Sequence, residues 1–318
     1  MQLVALARNP VPSGAHAGMF NGYDGNPLRY AIWRPSRAPT RGTVCVFPGR
    51  GEYIEKYFEV VADLRRRGFF VAVMDWRGQG GSWRALPNRN KGYVRSFREY
   101  DDDLLRFMKD IVLPDCPPPF VALAHSMGGN ILLRNARLEG SWFERMVLVA
   151  PMLALNDEQF PVPRWLARPA AELATLLGLG KLTIPGGSPK PMETQPYEGN
   201  RLTSDRERFA RNKAVVETAP ELGLGSPTLA WMRAAFASMS LLWRPDFASS
   251  VRIPVLMLAA GDDRIVSATA IEEYASRLKI GAHVLIPGAR HEIVQERDEL
   301  RLQFWATFDA YLGVEKVV

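Results

Sequence analysis

The sequence predicts an α/β fold: a mostly parallel central sheet with helices on both faces, interrupted by one helical cap insertion. Three observations lead there. Short, almost wholly apolar runs recur at 43–47, 69–74, 120–124, 146–150 and 254–259, the pattern of parallel strands covered on both faces. Segments with helical periodicity lie between them at 53–67, 97–112, 127–137, 268–278 and 293–312, which makes a βαβ succession. Residues 152–248 break that succession with many prolines and no clean strand signal.

Taken in chain order, a polar N-terminal stretch comes first, and the alternation over 28–33 predicts a half-exposed strand. The run 43–47 is the first buried strand, and the helix over 53–67 ends in Arg65, Arg66 and Arg67, cations that the helix dipole favours at a C-terminus. After the strand at 69–74 comes a loop rich in basic residues, Arg84, Arg89, Lys91, Arg95 and Arg98. A solvated face is the plain reading of that group, with a phosphate or an anionic membrane surface as its alternative partner. Helix 97–112, strand 120–124, helix 127–137 and strand 146–150 follow.

A structureless loop of nearly 100 residues does not suit a compact domain, so 152–248 is expected to be a helical cap with helices near 165–177 and 228–243. Met152, Leu155, Phe160, Trp165, Trp231 and Met232 give it enough apolar area to line an acyl cavity, or to pack against itself and the core; Leu176 and Leu177 belong to the same group. Strand 254–259, helix 268–278, strand 283–286 and helix 293–312 complete the chain, so 1–151 and 249–318 form the core.

The net charge of +6 invites a nucleic-acid reading, but the excess is spread through residues 1–151, and no nucleic acid is expected as a partner. Cys45 and Cys116 have no metal-ligand spacing, Cys45 sits in an apolar strand, and a disulfide framework is excluded; no metal and no cofactor are expected. No apolar stretch reaches the roughly 18 residues of a spanning helix, and the first residues lack a leader pattern, which predicts a cytoplasmic protein.

The chemistry centres on Ala124-His125-Ser126-Met127-Gly128-Gly129, between a strand and a helix. A turn that sharp strains the central serine and requires small residues two before and two after it, here Ala124 and Gly128: this is the sequence form of a nucleophile elbow. A serine hydroxyl needs a base that is itself oriented by a carboxylate. Of the four histidines, His16 is N-terminal, His125 precedes Ser126 and is expected to point away from the elbow's tip, and His283 opens a strand. His291 lies in the loop after the last strand, where the base belongs. The acid is Asp262 or Asp263 in the loop after 254–259, with Asp263 preferred because it precedes Arg264-Ile265-Val266, a pattern that closes the turn on apolar contacts. The order Ser126, Asp263, His291 is that of the α/β-hydrolase fold. Backbone N–H groups of Arg50, in Pro48-Gly49-Arg50-Gly51-Glu52, and of Met127 are the candidate oxyanion donors.

Five motifs carry a family resemblance: the 48–52 turn, Asp75-Trp76-Arg77-Gly78-Gln79-Gly80-Gly81-Ser82, the elbow, Gly261-Asp262-Asp263-Arg264-Ile265-Val266 and Gly288-Ala289-Arg290-His291-Glu292. Together they resemble the α/β-hydrolase superfamily serine hydrolases, in particular bacterial lysophospholipases and monoacylglycerol lipases. Pro48 stands where that family usually has His, and Ala124 where it usually has Gly. The resemblance implies a serine carboxyl-ester hydrolase that forms an acyl-enzyme, with a lysophospholipid or monoacylglycerol type ester as its small-molecule substrate and transient contact with a membrane surface left open. Serine at the nucleophile position disfavours the epoxide-hydrolase and dehalogenase chemistries, which use Asp there. Two other readings stand beside it. One is an aminopeptidase of the same fold, which would need cap carboxylates such as Glu172, Glu193, Glu198, Glu217 or Glu221 to hold an ammonium group. The other is a non-catalytic binder.

Overall fold

The computed structural model describes residues 2–137, 141–156 and 164–315 of the 318-residue chain. Eight strands form one sheet: β1 (His16–Asn21), β2 (Pro27–Trp33), β3 (Thr43–Phe47), β4 (Phe70–Met74), β5 (Phe120–His125), β6 (Phe143–Val149), β7 (Val255–Ala260) and β8 (Gly281–Ile286). Their order across the sheet is β1-β2-β4-β3-β5-β6-β7-β8. β1 and β2 pair antiparallel, as do β2 and β4, and every pairing from β4 to β8 is parallel. The helices are α1 (Phe58–Arg66), α2 (Arg98–Phe107), α3 (Leu113–Asp115), α4 (Met127–Asn135), α5 (Arg164–Leu176), α6 (Arg206–Thr218), α7 (Leu229–Leu242), α8 (Phe247–Ser250), α9 (Ala268–Arg277) and α10 (Asp298–Leu312).

The alternation of side chains along each inner strand builds two cores. On one face Cys45, Phe47, Ala122, Ala124, Met146 and Leu148 pack with α2, α4 and α7. On the other, Val44, Val46, Val121, Leu123, Val147 and Val149 pack with α1 and α10. Burial on both sides is why these strands read as continuous apolar runs, and the expected strands fall within a few residues of those observed. β1 is the strand that the sequence hides. It is an edge strand, mostly exposed, and it exists because it pairs in antiparallel register with β2.

The chain reverses direction of growth at β3: β4 lies on one side of it and β5 on the other. In open α/β sheets the crevice beyond the strand ends at such a switch point is where ligands bind. Here it is flanked by the 48–52 turn after β3 and by Ser126 after β5.

Between β6 and β7 the described residues form α5, α6, α7 and α8, with a long connection over 177–205 that carries only two short 3₁₀ turns. α6 carried no apolar period in the sequence. It is started by Asp205, whose carboxylate accepts from the Arg208 amide at 2.8 Å, and held by ion pairs. Phe160 lies outside the described residues, as does the side chain of Trp165.

The basic loop is not the uniformly solvated face that its composition suggests. Arg84 is buried, and its guanidinium donates to the carbonyls of Gly80 and Glu221 at 2.9 Å and of Gly223 at 3.3 Å. One core cation therefore satisfies backbone acceptors of the β6–β7 interval. Arg67 likewise does more than complement a helix end, because it pairs with Asp309 at 2.6 Å and sits 4.0 Å over the Trp305 ring.

The motif at 75–82 is structural. Asp75 accepts from Arg29 Nε at 2.7 Å, Gly81 N at 2.7 Å and Ile54 N at 2.9 Å, and Arg29 also pairs with Glu55 at 2.7 Å. Gly80 has φ +55, and a Cβ there would meet the Asp75 carboxylate at 2.3 Å. These buried charges are completely paired, which is the condition for keeping them in a core.

Candidate active site

Ser126 sits between the end of β5 and the start of α4 with φ 49 and ψ −112, a left-handed conformation that strains any residue but glycine. Its amide donates to Val149 O at 3.0 Å, and its carbonyl accepts from Met152 N at 2.9 Å, so the end of β6 and the residues just after it hold the strain. Gly128 is obligatory: a Cβ there would lie 2.4 Å from the Phe47 carbonyl oxygen.

The structure brings the expected side chains together. His291 Nε2 is 2.9 Å from Ser126 Oγ, and His291 Nδ1 is 2.8 Å from Asp263 Oδ2. The other oxygen of Asp263 accepts from the amides of Ile265 at 2.7 Å and Val266 at 3.0 Å. With Nδ1–H donating to the carboxylate, Nε2 is left as the acceptor of the serine proton; the network assigns that tautomer. Burial works to raise the Asp263 carboxyl, but the facing His291 and the two amides outweigh it and hold the group below its usual value. Asp262 is exposed, and its amide donates to Ala289 O at 2.8 Å, so it shapes the loop without reaching His291.

The 48–52 turn is fixed from all sides. Trp76 Nε1 donates to Pro48 O at 2.9 Å, Gly51 N donates to Gln79 Oε1 at 3.1 Å, and Gln79 Nε2 donates to Gly49 O at 2.7 Å. The Gly49 amide donates to the Glu52 carboxylate. Pro48 therefore joins the turn through its carbonyl, where the resembling family usually has a His side chain. Arg50 lies between two engaged amides and borders the same cavity as Ser126. Met127 is the first residue of α4, so its N–H has no acceptor within the helix. The Arg50 guanidinium turns away, donating to Gly225 O at 2.6 Å and lying 5.1 Å over the Trp231 ring; burial lowers its pKa to about 10.

Ser126 and His291 open on a cavity of about 250 Å³ whose apolar wall includes Met152, Leu155, Leu224, Trp231, Met232 and Ile265. A larger crevice of about 600 Å³ runs along Arg201, Arg206 and Arg290 behind Asp263, and neither Ser126 nor His291 borders it. Of the two, the smaller cavity is the one that Ser126 and His291 border. Within the β6–β7 interval Met152 and Trp231 both line this cavity and pack on the core. Leu176 and Leu177 do neither, being 84% and 67% exposed.

Sequence reasoning missed a buried charge cluster beside the relay. Lys56 Nζ is 2.6 Å from Glu292, 3.4 Å from Glu193 and 3.5 Å from Glu52. His125, expected to point away, borders the cavity with its ring centroid 4.7 Å from that of His291. Glu52 and Glu292 stood in motifs already singled out, but Lys56 and Glu292 are 236 residues apart, and no local pattern pairs them.

Fold and site together define a hydrolase of the α/β-hydrolase class. The chain belongs to the serine aminopeptidase S33 family, whose model matches residues 38–298. Among curated relatives, lysophospholipase L2 of Escherichia coli (strain K12) is 30% identical over 291 residues, covering 89% of this chain and 83% of its own. Monoacylglycerol lipase of Mycolicibacterium smegmatis is 26% identical over 287 residues, covering 88% of this chain and 91% of its own. Among solved structures, a soluble variant of monoglyceride lipase from Saccharomyces cerevisiae with a substrate analog superposes with TM-score 0.73 at 21% identity, covering 95% of this chain and 97% of that one. A thermostable carboxyl esterase from Bacillus coagulans with glycerol gives 0.74 at 20% identity, covering 96% and 100%. At those identities the two structures show a shared fold.

Proposed function

We propose that this chain is a serine carboxyl-ester hydrolase that takes monoacylglycerol or lysophospholipid type esters. The observation that carries the reading is the Ser126–His291–Asp263 relay, at 2.9 and 2.8 Å, opening on an apolar cavity. His291 takes the Ser126 proton as Oγ attacks the ester carbonyl, and Asp263 stabilises the imidazolium that forms. The N–H groups of Arg50 and Met127 hold the oxyanion. His291 then protonates the leaving alcohol, and water, activated by the same imidazole, releases the acid from Ser126. The names of the curated relatives, lysophospholipase L2 and monoacylglycerol lipase, support an acyl chain as the group recognised.

Residues 152–248 are proposed to act as the cap over this site. The segment 166–182 supports a further role in it. Leu173, Leu176, Leu177, Leu179 and Leu182 are all at least 45% exposed, and Lys190, which follows them, borders the cavity. Exposed leucines followed by a cation at the cavity wall suit transient contact with an anionic membrane surface, the source of such substrates. Among the described residues no helix is long and apolar enough to cross a membrane.

The aminopeptidase reading has one observation in its favour, since Glu193 reaches the cavity wall. Its carboxylate, however, faces Lys56 at 3.4 Å. Glu172, Glu198 and Glu217 pair with Arg168, Arg206 and Lys213 near the surface, and Glu221 is exposed. A panel of p-nitrophenyl esters, monoacylglycerol, lysophosphatidylcholine and aminoacyl amides separates the two. Ester turnover without amide turnover is the expected result, and cleavage of the amides alone overturns the ester assignment.

A further inference from the structure

His125 is 4% exposed, and each of its ring nitrogens faces an acceptor: Nδ1 lies 3.0 Å from Glu52 Oε1, and Nε2 lies 3.1 Å from the His291 carbonyl oxygen. A neutral imidazole carries one N–H and can donate to only one of these, whereas an imidazolium donates to both. Glu52 is an acceptor on every side. It takes the Gly49 amide, takes the Tyr57 hydroxyl at 2.5 Å and has Lys56 Nζ at 3.5 Å, which keeps the carboxylate ionised. We propose that His125 is held as an imidazolium and serves as a positioning residue, tying the oxyanion turn to the backbone of the base. This rests on the reading of Ser126, His291 and Asp263 as the catalytic relay.

The chain of bonds runs from Gly49 N through the Glu52 carboxylate and the His125 ring to His291 O. It fixes the turn that carries Arg50 N–H relative to a residue more than 200 positions away. The charged and titratable groups around His125 are Glu52, Lys56 and Tyr57 from the segment after β3, and His291 and Glu292 from the segment after β8. Burial acts to lower the His125 pKa, but Glu52, Glu292 and the His291 carbonyl outweigh it and raise it.

Nitrogen NMR of protein labelled in histidine reads this directly, since the chain has only four histidines. With His125→Gln used to assign its signals, the wild-type His125 should show both ring nitrogens protonated at neutral pH; one unprotonated nitrogen there overturns the proposal. In kinetics, His125→Gln should lower kcat about 10-fold or more with KM little changed. A kcat unchanged in His125→Gln also overturns it. Labelling of Ser126 by a fluorophosphonate keeps the two readings apart. Labelled Ser126 with a singly protonated His125 sinks this proposal alone, while unlabelled wild type sinks the relay itself.

Discussion

At Ser126 the strained φ, the 2.9 Å approach of His291 and the closeness of Gly128 to the Phe47 carbonyl are parts of one arrangement. Gly128→Ala should therefore abolish soluble expression or activity even though it leaves the relay residues intact. Ser126→Ala should lower ester turnover about 10⁴-fold to 10⁶-fold, and Asp263→Asn about 10⁴-fold by allowing the wrong tautomer of His291. Asp262→Asn, at a carboxylate that does not reach the imidazole, should stay within about twofold of wild type in the same assay. The relay was legible because each member sits in a loop of recognisable local sequence at a strand end. The choice between Asp262 and Asp263 was legible only as a preference. What separates them is the pair of amides, Ile265 and Val266, that turn one carboxylate inward. The His125 contacts were illegible, because the residue's neighbours in sequence say nothing of Glu52 or of the His291 carbonyl.

α1, α6 and α10 meet at one carboxylate. Glu59 accepts from Arg208 at 2.7 Å, Arg211 at 2.7 Å and Arg301 at 2.7 Å. Burial acts to raise its pKa, but the arginines outweigh it and bring it from 4.5 to about 2. A depressed carboxyl contributes stability that is complete above its unfolded value and lost as pH falls through the folded one. Glu59→Gln should therefore cost about 2 kcal/mol in urea unfolding at pH 7, with the difference from wild type shrinking between pH 4.5 and 2. A difference that grows on acidification would contradict this account of α6. The helix escaped the sequence reading for the same reason: its stability comes from ion pairs to distant elements and from the Asp205 cap, not from an apolar stripe. β1 escaped it because an edge strand takes its order from its partner. The inner strands β3 to β7 were plain, since burial on both faces keeps most of their positions apolar.

Across the whole molecule, the switch in strand order at β3 sets the cavity between the 48–52 turn and the elbow, and the β6–β7 interval lies over it. That interval was legible as helical, but the distribution of its leucines was not: composition alone cannot separate those that face the core from Leu176 and Leu177, which face solvent. Replacing Leu173, Leu176 and Leu177 together by Ser should reduce binding to anionic phospholipid vesicles about 10-fold or more, with hydrolysis of a soluble p-nitrophenyl ester unchanged within about twofold. Equal vesicle binding would remove the membrane role from this surface. The central claim, that Ser126 is a nucleophile activated by His291, is tested most directly by intact-protein and peptide mass spectrometry after treatment with a fluorophosphonate. The account predicts a single adduct on the Ser126 peptide of the wild type, none in Ser126→Ala and strongly slowed formation in His291→Ala. An unlabelled wild type, or equal labelling of Ser126→Ala, would contradict it.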